Sequence, residues 1–174
     1  MVKKIPIVAG ALTLTACTSS MFTVPENRAH YIELMQQDTG IFSSLALVYS
    51  KEFNTTFESA TKNIEKKISD CIPSGWEQHP TSNFTTSHYN KVTNNVRIHV
   101  VNGDKAEVTF QQHHTDTAFQ SEGGLYLLAA DVFRVDDGNI KIDFYTSTTQ
   151  SETAEAVEQW AMGSDKCHGM GGND

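Results

Sequence analysis

The chain has 174 residues, with 13 Lys and Arg against 21 Asp and Glu, a formal charge of −8. That length suits one domain with a real core. The acidic balance argues against nucleic acid as a partner and against flat docking on anionic lipid.

From the N-terminus, Met1-Val2-Lys3-Lys4 is a short basic stretch, and Ile5 to Ala16 is an apolar one with Gly10 near its middle. About a dozen apolar residues fall short of the roughly 20 that a membrane-crossing helix needs, so the segment reads as a signal peptide. It ends in Leu14-Thr15-Ala16-Cys17. That tetrapeptide resembles the bacterial lipobox: an aliphatic residue, two small residues, then cysteine. The resemblance implies a lipoprotein, with diacylglyceryl on the Cys17 thiol, cleavage between Ala16 and Cys17, and acylation of the new amine. Each buried CH₂ adds about 0.8 kcal/mol and one chain holds only marginally, so two or three chains on one residue make a stable anchor. Thr18 stands where Gram-negative lipoproteins kept in the inner membrane commonly carry aspartate. The resemblance therefore implies the outer membrane of a Gram-negative host, with the domain facing the periplasm. The plainer alternative is an ordinary signal peptide with a chance cysteine.

Removal of residues 1–16 takes away Lys3 and Lys4 and no acid, leaving 11 bases, 21 acids and a charge of −10. Attachment is then expected through the acyl chains only. With Cys17 used for lipid, Cys71 and Cys167 remain as an even pair in an oxidising compartment, and a disulfide is expected. The alternative is two free or metal-binding thiols, but only His168 stands beside them as a further ligand.

Thr18 to about Thr39 is a polar lead-in, in which Ala29 to Gln37 is either a short helix or part of a stalk. Leu45 to Tyr49 is an apolar run too short for periodicity to decide between strand and helix; the helix start after it favours a strand. Thr55 with Glu58 reads as a capping box. Phe57, Ala60, Ile64, Ile68 and Cys71 then line one helical face until Pro73-Ser74-Gly75. Trp76 to Tyr89 is polar and reads as a loop with a strand near its end. From Val96 the pattern has period 2, through Ile98 and Val100, across a turn at Asn102-Gly103-Asp104, and on through Ala106, Val108 and Phe110. Leu125 to Val135 is a strand apolar on both faces, expected at the centre of a sheet. A turn at Asp136 to Asn139 leads to alternating Ile140, Ile142 and Phe144. Thr149 with Glu152 reads as a second capping box, opening a helix striped by Ala154, Val157, Trp160 and Ala161 and ended by Gly163.

These elements predict an α+β fold: strand, helix, an antiparallel meander of about four strands, helix, with both helices on one face of the sheet. The outline resembles helix-grip and TBP-like domains of some envelope lipoproteins. The late Trp160, Gly163 and Cys167 pattern resembles small Gram-negative lipoproteins, with no functional residue carried over. The expected organisation is signal peptide 1–16, lipidated N-terminus and tether 17–40, domain 41–167 and a disordered tail 168–174.

Candidate chemistry is sparse. His113, His114 and Asp116 are the most ligand-like cluster, but adjacent histidines on a strand point to opposite faces, so His99 or His88 would have to join them. His168 and Met170 follow Cys167 in a glycine-rich end. Glu107, Asp131 and Asp143 are carboxylates on strands, with no signal that brings two together for acid–base work. There is no nucleophile elbow, P-loop or Rossmann fingerprint. Trp76, Trp160, Phe133 and Tyr126 read as core. No catalytic residue, metal or cofactor is expected. The expected role is a non-enzymatic accessory lipoprotein that binds another envelope protein. The alternative is a carrier or sensor holding a small apolar ligand between helix and sheet, in a cavity of about 300 Å³ or more.

Overall fold

Ala106, Val108 and Phe110 are buried on one side of their strand while Lys105, Glu107 and Thr109 take the other, and that alternation sets the two faces of the sheet. In the computed structural model the described residues are 23–37, 41–78, 90–115, 117–118 and 120–167. Six strands are formed: β1 (Ala46–Phe53), β2 (Gly75–Gln78), β3 (Asn90–Asn102), β4 (Lys105–His114), β5 (Leu125–Arg134) and β6 (Ile140–Ser147). They make one antiparallel sheet in the order β1-β6-β5-β4-β3-β2. The last four strands form the meander. β1 closes one edge beside β6, and β2 the other beside β3.

Helix α3 (Phe57–Cys71) carries the chain from one edge to the other. Its 15 residues span about 22 Å, close to the roughly 24 Å between the first and last of six strands. It lies over β3 and β5, while α4 (Ser151–Ala161) lies over β6. Phe57, Ala60, Ile64, Val157 and Trp160 enclose the main core against Val108, Leu128, Ile142 and Phe144. Each of the Val, Leu, Ile and Phe side chains contributes roughly 1.5–3 kcal/mol by burial. The Trp160 indole N–H donates to the Lys166 carbonyl at 3.0 Å. Gly163, at φ +88°, turns the chain out of α4, and Cys167 then reaches Cys71 in a disulfide with Cα atoms 5.2 Å apart. Beside it the buried Lys67 ammonium donates to the Asp165 carbonyl at 2.6 Å.

The opposite face is covered as well. Helix α1 (Arg28–Met35) is capped by Asn27, whose side chain accepts from the His30 amide at 2.9 Å. Tyr31 and Met35 pack on Ala129 and Tyr145, and the rings of Tyr31 and Tyr126 stack at 5.0 Å. Pro25 is buried, and its carbonyl accepts from the Ser121 hydroxyl. A short α2 (Ile41–Leu45) leads into β1.

The fold is mixed α+β, but the expected arrangement is corrected. The sheet has six strands rather than a lone strand and a meander of about four, and helices lie on both faces rather than one. The likeness to helix-grip and TBP-like domains falls with it. Gly75–Gln78 is too short to show alternation, and the apolar positions of α1 are too few to announce a second layer. Two caps also differ. Thr56, not Thr55, caps α3, its hydroxyl accepting from the Ser59 amide. A 3₁₀ turn at Thr148–Gln150 leads into α4 in place of a capping box.

Candidate functional site

Cys17, His88, Asp116, His168 and Met170 lie outside the described residues. His99 and His113 are exposed on β3 and β4, and the His114 ring stands 3.3 Å from the Gln112 side chain. Among the described residues no group of three or more His, Cys, Asp or Glu is placed to hold a metal ion. No helix among them is long and apolar enough to cross a membrane.

The three strand carboxylates do come together. Register puts Glu107 opposite Asp131 and Asp131 opposite Asp143. Side-by-side carboxylates repel across a ladder, and three cations interleave to offset that. Arg28 reaches Asp131 at 2.6 Å and Glu107 at 3.6 Å, Lys105 reaches Glu107 at 3.0 Å and Asp131 at 3.4 Å, and Lys141 reaches Asp143 at 3.0 Å. Burial pushes the Glu107 carboxyl up, but its bond from Lys105 and the charges of Arg28 and Lys105 bring it below the ordinary carboxylate value. The network clamps α1 to the sheet. Each carboxylate in it is matched by a cation, which suits anchoring better than proton transfer.

A second arrangement is open to solvent. β1 pairs with β6 in unbroken register from Ala46 to Phe53, and its other edge has no strand beside it among the described residues. Since α4 sits over β6, the shoulder of β1 is left uncovered. A groove of about 1140 Å³ runs there, with Leu47, Tyr49 and Lys51 on the strand side and Glu152, Glu155 and Glu158 on the helix side. The Tyr49 ring stacks on Phe144 at 4.8 Å, and its hydroxyl donates to Glu158 Oε1 at 2.9 Å. Lys51 takes the other oxygen of Glu158, which is buried. Burial, and then the bond to Glu158, raise the Tyr49 hydroxyl above its ordinary 10.0. Ring stacking and the bond to Glu158 make Tyr49 a fixed wall of the groove. On the other face of the same strand a groove of about 510 Å³ is lined by Met35, Gln36, Gln37, Ser43, Ala46 and Val48. A strand over Leu45 to Tyr49 was expected from the helix start after it; that the strand would stand at an edge was not.

A third feature is a cavity of about 310 Å³ between the helices and the far half of the sheet. Its apolar lining is Ile72, Trp76, Val96, Phe110 and Leu127, with Asn94 and Gln112 among its polar groups. Trp76, expected from sequence to be core, is instead 42% exposed. The Asn94 amide donates to the Pro73 carbonyl at 2.9 Å and accepts from Gln112 at 3.2 Å, which holds this wall in place.

No protein-family model matches the chain, and no curated protein matches it significantly. Among solved structures, the 1.88 Å crystal structure of hypothetical protein jhp0584 from Helicobacter pylori is similar over 67% of this chain and 83% of its own, at 8% identity and a TM-score of 0.35. An overlap of that size assigns neither a fold family nor an activity.

Proposed function

We propose that this chain is a lipoprotein, anchored through Cys17 to the outer membrane and facing the periplasm of a Gram-negative cell. There it acts as a non-enzymatic accessory module that binds another envelope protein. The observation that supports binding most is the edge of β1. Folded proteins cover or blunt such edges because unpaired backbone recruits other chains, yet eight residues here run in regular register beside open grooves. The anchor rests on Leu14-Thr15-Ala16-Cys17, and the disulfide suits an oxidising compartment. Intact mass of the wild type and Cys17→Ser, expressed in a Gram-negative cell, tests the anchor. Diacylglyceryl and acyl mass on a chain starting at Cys17 is expected, and unlipidated secretion of both would remove it. Photo-crosslinking in intact cells from exposed surface positions tests the partner.

The cavity beside Trp76 favours a second reading, a small apolar ligand held between helix and sheet. Its volume of about 310 Å³ lies at the lower end of ligand pockets. A solvatochromic apolar dye should bind the wild type and lose affinity in Val96→Trp, which fills the cavity. Unchanged dye binding in that variant would discard the reading.

A further inference from the structure

We infer that the β1 edge receives an extended segment of the partner protein, whose side chains alternate between basic residues facing α4 and small side chains facing α1. The inference rests on the accessory-module reading and specifies the partner's chemistry. Three observations carry it.

The first is the edge itself. From Ala46 to Ser50 it has no proline, no bulge and no charged side chain; Lys51 and Glu52 come only near its end. Val48 is 43% exposed. Among the described residues no strand, proline, bulge or charged side chain protects that stretch against strand addition.

The second is the pair of grooves. Successive side chains of an added strand point to opposite faces, so a docked segment needs space on both sides of the edge. The grooves lined by Tyr49 and by Val48 supply it, one on each face. Backbone bonds would give affinity and the two grooves selectivity, as in other strand-addition complexes.

The third is charge. On the α4 side Glu158 is already engaged by Tyr49 and Lys51, whereas Glu152 and Glu155 are exposed. A Lys or Arg facing that wall meets two carboxylates. On the other side Ala46 and Val48 face a groove of mixed lining, with Gln36, Gln37 and Ser43 opposite, which admits a side chain of about valine size. A second copy of this chain is the poorer occupant. Antiparallel β1–β1 pairing about a twofold axis would set two acidic α4 walls on the same side of the joined sheet, in a chain already at −8.

The test uses the full chain and a short labelled peptide alternating Lys and Val, at low ionic strength. Its controls are a Glu–Val counterpart and a block-ordered Lys and Val peptide of identical composition. The alternating peptide should bind and slow amide exchange in residues 46–53. The controls should do neither. The double variant Glu152→Lys with Glu155→Lys, both side chains exposed, should weaken binding roughly five- to tenfold, the size expected of two exposed charge pairs, and less in salt. Equal binding of the block-ordered peptide, indifference to the charge reversal, or slowed β1 exchange through a concentration-dependent dimer would each overturn the inference. If the peptide fails, cellular crosslinking from Val48 and from the distant Val101 separates the two ideas. Capture at Val101 alone ends the inference but leaves the accessory module standing. No capture at either position ends both.

Discussion

Arg28 on α1 and Asp131 on β5 meet at 2.6 Å across 103 residues of sequence. The same guanidinium donates to the Thr109 hydroxyl at 3.1 Å and to the Ala130 carbonyl at 2.9 Å. Both charged groups are largely shielded, so removing Asp131 leaves Arg28 only the more distant Glu107 at 3.6 Å as a charged partner. Asp131→Ala should cost about 2–4 kcal/mol, somewhat below the upper figure for a fully buried pair. Asp131→Asn, which keeps an acceptor, should cost less. Thermal unfolding gives the first figure, and faster amide exchange confined to residues 28–35 would show that α1 is what loosens.

The Cys71–Cys167 disulfide closes a separation of 96 residues. By the chain-entropy model such a loop is worth about 4–5 kcal/mol. Cys71→Ser with Cys167→Ser should lower stability by that order in urea titration. An unchanged midpoint would mean that the Lys67 to Asp165 contact and the packing of Trp160 already hold the two helix ends.

Tyr31 and Tyr49 have hydroxyls raised by burial, Tyr49 further by Glu158. A group whose folded value is raised stabilises fully below its unfolded value, here 10.0, and that contribution is lost as pH rises through the folded one. Stability should therefore fall in alkali above about pH 10. Tyrosinate absorbance from these two residues should appear with unfolding rather than before it. Glu158→Gln should bring part of that signal forward, measured against far-UV circular dichroism.

Gly75 opens β2, where its backbone lies against β3. A Cβ there would collide with the Val92 carbonyl oxygen and stand 3.1 Å from the Thr93 Cα. Gly75→Ala should destabilise by about 1–3 kcal/mol and shift Trp76 fluorescence as the cavity wall moves. Gly103→Ala has open space around it and should change stability by less than about 0.5 kcal/mol.

The helices at Phe57–Cys71 and Ser151–Ala161 and the alternating strands of the meander were legible because each writes its period over enough residues. The cysteine pair was legible by parity. Less was visible where an element depends on partners far along the chain. Gly75–Gln78 is a strand because β3 lies beside it, and Tyr31 and Met35 are buried because Ala129 and Tyr145 leave a second apolar patch. The row of Glu107, Asp131 and Asp143 depends on register across three strands, shifted by an irregularity at Phe110/Gln111. No spacing within one strand encodes that. The same holds for the β1 groove beside α4, which exists because that helix lies over β6.

The buried Pro25 and the docked α1 set a short leash. With acyl chains on Cys17, as proposed, eight peptide steps separate the anchor from the buried Pro25. Fully extended they reach about 28 Å. The domain could swivel over the bilayer but not wander from it. A partner embedded in the same membrane would thus meet the β1 edge at a high effective concentration. A contact too weak to survive in dilute solution could then persist in the cell.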